Sequence, residues 1–266
     1  MIFIEPGVTN TNTPTVIFDS IIIDSAVTFT SQETGFGAVN TLGVETYSWW
    51  KPTAADVVDG TSQVQYTLST PSTADCAFIE SHDLGTIGAT VEIQYFDVSW
   101  KTAASITPSD NSPIMILFPE QSSSNWRVEV STTSQYHIGI VLIGNRLVFP
   151  TGVDSRYTSF VHSGNFEIMG GNSLGGQFLG QKVIRKGGNT SLIFPLLDTS
   201  FVDNDMLMFE NHYNTGQPFG FATKPNAFAG DLGYCWRPDN SSELKPKYRD
   251  GSLYQEFTMN VDFYNA

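Results

Sequence analysis

Basic residues are scarce in this sequence. Thirteen Lys and Arg stand against 27 Asp and Glu over 266 residues, a formal net charge of −14, and charged residues of either sign make up only 15%. A surface of that sign repels phosphate backbones, so tight nucleic-acid binding is not expected. Cysteine is almost absent: Cys76 and Cys235 lie far apart, each inside an apolar run, CAFI and YCW. Neither has a Cys or His at metal-ligand spacing, so both read as buried free thiols, and neither a metal nor a cofactor is expected. The four histidines, His82, His137, His162 and His212, include no pair at ligand spacing. No apolar run approaches the length of a membrane-spanning helix. The opening "MIFIEPGVTN" lacks the basic start and apolar stretch of a secretion signal, so a soluble chain without a leader is expected.

Motifs that carry chemistry are missing too. There is no Gly-x-Ser-x-Gly elbow and no Gly-x-x-x-x-Gly-Lys phosphate loop. "GGNSLGGQFLG" is rich in glycine, but it neither follows a clear strand nor opens a helix. Two groups of acids can be weighed as a glycosidase pair. Glu80 and Asp83 flank His82, and Asp203, Asp205 and Glu210 lie together further on. A glycosidase needs two carboxylates facing each other across a cleft, one with a raised pKa. Spacing alone does not supply that, and solvated surface acids are the simpler reading. No enzyme activity is expected.

What the chain has is β signal. "SAVTFTS", "QVQYTLS", "TVEIQYFDVSW", "PIMILF", "NWRVEVST" and "YHIGIVLIG" alternate or run apolar and are rich in Val, Ile, Tyr, Phe and Thr. Turn clusters such as "QETGFG", "STPSTAD", "HDLGTIG" and "PEQSSS" separate them. Short strands at this spacing predict an all-β jelly roll or β-sandwich over residues 24–150, preceded by an N-terminal arm at 1–23. The glycine-rich text that follows reads as an extended linker, placed at 151–164. Residues 165–266 read as a smaller β-rich domain with one helix. That helix is capped at Asp198 to Ser200, carries Phe201, Met208 and Phe209 on one face, and stops at Gly216.

Five tryptophans are candidates for a sugar platform: Trp49, Trp50, Trp100, Trp126 and Trp236. In "YSWW" two adjacent indoles on a strand must point opposite ways. Trp49 is expected to pack inward and Trp50 outward, so Trp50, with His82 of "SHDLG", is the expected glycan contact. The histidine has a plainer reading, as a turn residue whose ring bonds backbone carbonyls.

The order of the first-half segments resembles the discoidin-like (galactose-binding-like) jelly roll: "SAVTFTSQETGFGAVNTL", "ETYSWW", "SHDLGTIGATVEIQY" and "HIGIVLIGNRLVFP". More narrowly, the text is similar to a group of bacteriophage tail proteins of the distal-tail or tail-tip type. There a His-Asn-Leu-Gly-Thr turn precedes a Val-rich strand, and this chain has Asp83 in place of the Asn. "GGQFLGQKVIRKGGNTSLIFPLL", "PFGFATKP" and "LGYCWRPD" extend the likeness, which covers most of residues 24–266.

The resemblance implies a virion structural protein, assembled in the host cytoplasm into a ring around the tail axis. Its partners would be further copies of itself and the tube and hub proteins, without membrane insertion. The arm and the linker would reach neighbouring subunits. Acids of the second domain, Asp198, Asp203, Asp205, Glu210 and Asp231, would line the channel and keep DNA from adhering. A carbohydrate-binding module for host-surface glycan is the alternative function, and a polysaccharide-degrading tail enzyme a second one.

Overall fold

A computed structural model describes residues 1–249, 251 and 253–264, with the backbone alone at 184–186. The chain is β-rich throughout and divides by contacts into two units. The first is Met1–Gly152 joined by Pro218–Leu232, and the second is Val153–Gln217 joined by the chain from Gly233 onward. Among the described residues no helix is long and apolar enough to cross a membrane.

Two long strands, β4 (Thr61–His82) and β7 (Ile114–Ser131), organise the first unit. They pair antiparallel from Thr61↔Ser131 to Ile79↔Ile114, with register shifts between Thr67 and Ser72 and between Ala74 and Cys76. The expected turns "STPSTAD" and "PEQSSS" therefore do not end strands. They lie opposite each other in the ladder, at Ser72↔Ser123, Thr73↔Ser122 and Ala74↔Gln121. Ser, Thr and Pro there mark an irregularity in continuous strands, which local composition does not distinguish from a turn.

Each half of this pair recruits its own neighbours. The upstream half of β4 takes β3 (Ala26–Phe29), and β7 takes β5 (Thr90–Asp97), which pairs β6 (Ser99–Ile106). The downstream half takes β8 (Ile138–Gly144), while β1 (Ile2–Ile4) runs parallel to β7. Val64, Tyr66, Trp126 and Val128 from one half, and Ala77, Ile79, Ile114 and Ile116 from the other, belong to one buried cluster. The two halves thus line a single sandwich core. "TVEIQYFDVSW", expected as one strand, is a hairpin: Val98 turns it with a φ of +61°. A β-branched residue is rare in that conformation, so the usual Gly or Asn signal was missing.

The other face of the downstream half is covered by β2 (Thr15–Ile17) and β12 (Phe219–Ala222), which pair with each other, β2 also pairing β9 (Leu147–Val148). A Cβ on Gly220 would fall 2.6 Å from the Phe78 ring, so only glycine lets β12 lie against it. This layer corrects two expectations. Residues 1–23 are not a projecting arm, since β1 and β2 are both paired within the first unit. Residues 218–232 belong with the first unit and not with the second.

The second unit is a sheet of β10 (Gly164–Asn172), β11 (Phe178–Asp198) and β15 (Tyr254–Tyr264), with β13 (Leu232–Trp236) and β14 (Lys247–Arg249) at opposite ends of the free edge of β15. The expected linker at 151–164 contains only a short 3-10 turn, Phe160–His162, before β10 begins, and most of the glycine-rich text after it is the β10–β11 hairpin. Phe194 stacks on Phe257 at 4.8 Å, and Phe160 meets Phe263 edge-on at 4.9 Å. The expected helix is a wide turn at Phe201–Asp205 followed by α3, Leu207–Asn214 in the α form. Phe201 and Phe209 are buried as expected. Met208 is exposed, and Met206 takes the inward position because the wide turn resets the helical phase. Gly216, at a φ of +76°, follows the helix end.

Trp50 is fully buried. It bridges Ile138 through both backbone bonds, 2.8 and 3.0 Å, and its indole N–H donates to the Ser31 carbonyl at 2.9 Å. Its ring meets Tyr136 edge-on at 5.7 Å. Trp50→Ala should cost about 3–5 kcal/mol of stability through the cavity and the unpaired carbonyl. Equilibrium denaturation will measure it. A loss comparable with that of an exposed substitution would mean the indole does not pack as described.

Candidate functional site

The stretches "WWKP" and "SHDLG" do meet at one end of the first unit, but through neighbours of the expected residues. Trp50 and His82 both turn inward, so neither presents a ring to a ligand. Trp49 and Asp83 remain half-exposed. The cause is strand parity. With Trp50 bridged to Ile138, Trp49 and Lys51 share the opposite, wetter side. Lys51 was the available signal, because a lysine one residue past the pair is seldom buried and places Trp49 outward with it.

Around Trp49 the geometry is dense. Its ring lies parallel to Phe36 at 6.3 Å and tilts against His137 at 4.8 Å, while its N–H donates to the Thr46 carbonyl at 3.2 Å. A Cβ on Gly139 would fall 3.2 Å from the indole and 2.7 Å from the Ser81 side chain, so glycine on β8 makes the seat. Tyr47, two residues upstream, is 75% exposed. Lys51 lies 5.6 Å over Phe36 and 3.3 Å from the Glu33 carboxylate, which also accepts from Gln135. The result is an aromatic cluster rimmed by donors and acceptors on three loops.

The imidazole of His137 is oriented by Asp83. Its Nδ1 donates to Oδ2 at 3.1 Å, and its backbone N–H donates to Oδ1 at 2.9 Å. Burial opposes the charge on Asp83, but the bonds from the His137 ring and backbone outweigh it and hold its pKa below the usual range. With Nδ1 engaged, the ring's Nε2 has no hydrogen bond among the described residues. The Asp83 carboxylate supplies both acceptor oxygens. Sequence reasoning missed His137 because its partner is 54 positions away.

His82 and Glu80 sit deeper. His82 Nε2 donates to the Ser112 carbonyl at 3.0 Å, and its Nδ1 accepts from the Leu84 N–H at 3.3 Å, which fixes one neutral tautomer. Burial lowers its pKa to about 4. It is a turn residue, bonding backbone as its plainer reading held. Glu80 is fully buried, with one oxygen accepting the Ser81 N–H at 2.8 Å and Oε2 without a partner among the described residues. Burial raises its pKa to about 7. The expected pair around His82 therefore splits into a buried Glu80 and a half-exposed Asp83.

The remaining candidates separate as well. Trp126 is buried. Trp100 covers the Arg127 guanidinium at 4.3 Å, and Arg127 is already engaged by Gln94, Gln63 and Glu129. Asp198, Asp203 and Asp205 are exposed in the second unit, and Glu210 is half-exposed there. Asp231 is buried in the first unit, with Thr223 donating to its carboxylate, so it does not share an exposed surface with the other four. Cys76 and Cys235 are both buried, and neither is in a disulfide.

No family model matches the sequence, and no curated protein is similar to it. Among solved structures, about half of the chain is similar to a chitosan-binding module of a Paenibacillus chitosanase/glucanase, at 14% identity and a TM-score of 0.41 over 48% of this chain and 98% of that one. A pectin-binding carbohydrate-binding module gives 15%, 0.38, 48% and 91%. A CBM32 module of Clostridium perfringens in complex with GalNAc-β-1,3-galactose gives 9%, 0.41, 47% and 99%. Likeness this distant carries no argument about a ligand, and the β-sandwich described above rests on its own strand pairing.

A carboxyl whose pKa is raised by folding costs stability as pH climbs from its unfolded value through its folded one. Glu80→Gln, which keeps the acceptor for Ser81, should match the wild type near pH 4.5 and gain up to about 3 kcal/mol above pH 7. Denaturant titrations at both pH values test this. Equal gains at both would show that folding does not raise the Glu80 pKa.

Proposed function

We propose that this chain is a non-catalytic carbohydrate-binding protein and that its sugar contact is the loop end built by Trp49, Asp83 and His137. The carrying observation is the Asp83-oriented imidazole beside a half-exposed indole, with Tyr47 and Lys51 alongside. Sugars are held by that combination: an aromatic surface for the C–H face and a few oriented polar groups for the hydroxyls. The acidic balance of the chain, with Glu33 and Asp83 at the rim, favours neutral or amino sugars over sulfated or uronic ones.

A glycan array probed with the full chain should give binding confined to neutral or amino sugars. Trp49→Ala and His137→Ala should each weaken that binding by about tenfold or more while thermal unfolding stays close to wild type. Wild-type protein that binds no glycan, or variants that bind as tightly as wild type, would remove the proposal.

A second reading, a structural subunit of a bacteriophage tail or tail tip, draws on the long exposed hairpin of the second unit, which suits a protein built into an assembly. Cryo-electron microscopy of purified virions tests it. Copies arranged as a ring on the tail axis would support it, and absence of the chain from particles would end it.

A further inference from the structure

The β10–β11 hairpin is longer than the sheet that bears it. β11 pairs with β15 only from Gly188 onward, while β10 pairs with β11 from Gly164↔Gly188 out to Asn172↔Phe178. Beyond that root the hairpin is a two-stranded ribbon, and every described residue from 164 to 183 except Ser173 is exposed. Nine residues of β10 give it a reach of about 30 Å. A lone ribbon of this kind is marginal in water, because it buries nothing on either face and leaves both edges unpaired. Yet it displays Phe166, Ile168, Met169, Leu174, Phe178 and Leu179, all more than half exposed. Apolar surface concentrated on one projection marks a contact with another molecule.

Charge indicates which molecule. The ribbon's sequence carries Lys182, Arg185 and Lys186 against a single acid, Glu167, in a chain of net charge −14. It is a basic, apolar element on an acidic protein. The second unit also carries an acidic, apolar element. The stretch from Asp198 to Glu210 holds Asp198, Asp203, Asp205 and Glu210 with no basic residue between them. Leu207 and Met208 within it are exposed at 58% and 64%.

We propose that the β10–β11 ribbon of one copy docks on the Asp198–Glu210 face of a second copy. The two surfaces differ, so the contact is head-to-tail and propagates until a ring closes or a filament forms. The inference is independent of glycan binding, which uses the first unit.

Sedimentation of the full chain over a concentration series should show self-association that weakens with salt, since charge pairs contribute. Ile168→Ser with Phe178→Ser, both at exposed positions, should weaken it by about tenfold or more. Lys182→Glu should weaken it, and adding Asp205→Lys should restore it. To locate the contact, Leu174→Cys protein is mixed with Met208→Cys protein under mild oxidation. The native cysteines are buried, so a disulfide joining the two introduced thiols, one from each protein, is the expected product. A wild type that stays monomeric to its solubility limit, association indifferent to the ribbon variants, or cross-linking only between identical ribbon tips would each overturn the proposal.

Discussion

Everything in the first unit depends on the ladder between β4 and β7. Strands of 22 and 18 residues are long for a globular protein, and these two stay paired through both register shifts. That continuity lets one pair of strands serve both walls of a sandwich. It also fixes the downstream end of β4, where His82, Asp83 and α2 (Leu84–Ile87) leave the sheet beside β8. The loop-end cluster exists because this terminus, the Trp50–Ile138 bridge and the chain before β8 are held in one register. A slip of one residue would exchange Trp49 with Trp50 and remove the cluster.

The buried polar groups beneath the cluster follow from the same geometry. Ser81 takes a φ of +55° at the end of β4, opposite the glycine on which Trp49 rests. Its hydroxyl donates to the Thr46 carbonyl at 2.8 Å, joining the loop that bears Tyr47 and Trp49 to the strand. Glu80 on one side is buried at an energetic cost, while His82 on the other ties α2 to the Ser112 carbonyl. A strained residue and an under-satisfied carboxyl directly below the exposed aromatics make a rigid support whose cost is offset elsewhere in the core.

The sequence made the β class, most strand positions and the burial of both cysteines legible, because alternation and β-branched content are local signals. It hid what depends on partners. The Thr/Ser/Pro segments in β4 and β7 look like turns until they are found opposite each other. Val98 turns a hairpin without turn chemistry. The wide turn at Phe201–Asp205 shifts the phase of α3 and exchanges Met208 for Met206. At the candidate site, the two stretches singled out do meet, but Trp50 and His82 turn inward and their neighbours Trp49 and Asp83 are the half-exposed ones. Lys51 could have corrected the tryptophan. Nothing local pointed to His137, whose role comes only from its contact with Asp83. The five acids grouped as one surface divide because Asp231 returns to the first unit on a segment whose composition does not differ from its surroundings.

The central claim is that a sugar meets this protein at Trp49 and not at the neighbouring indole. The indole N–H signals of the five tryptophans report on it directly when a neutral or amino sugar selected by binding is titrated into labelled protein. The account predicts that the Trp49 signal and the ring signals of His137 move progressively to saturation, while Trp50 and Trp126, sealed in the core, stay in place. Saturable shifts confined to Trp100 or Trp236, with Trp49 unchanged, would contradict it.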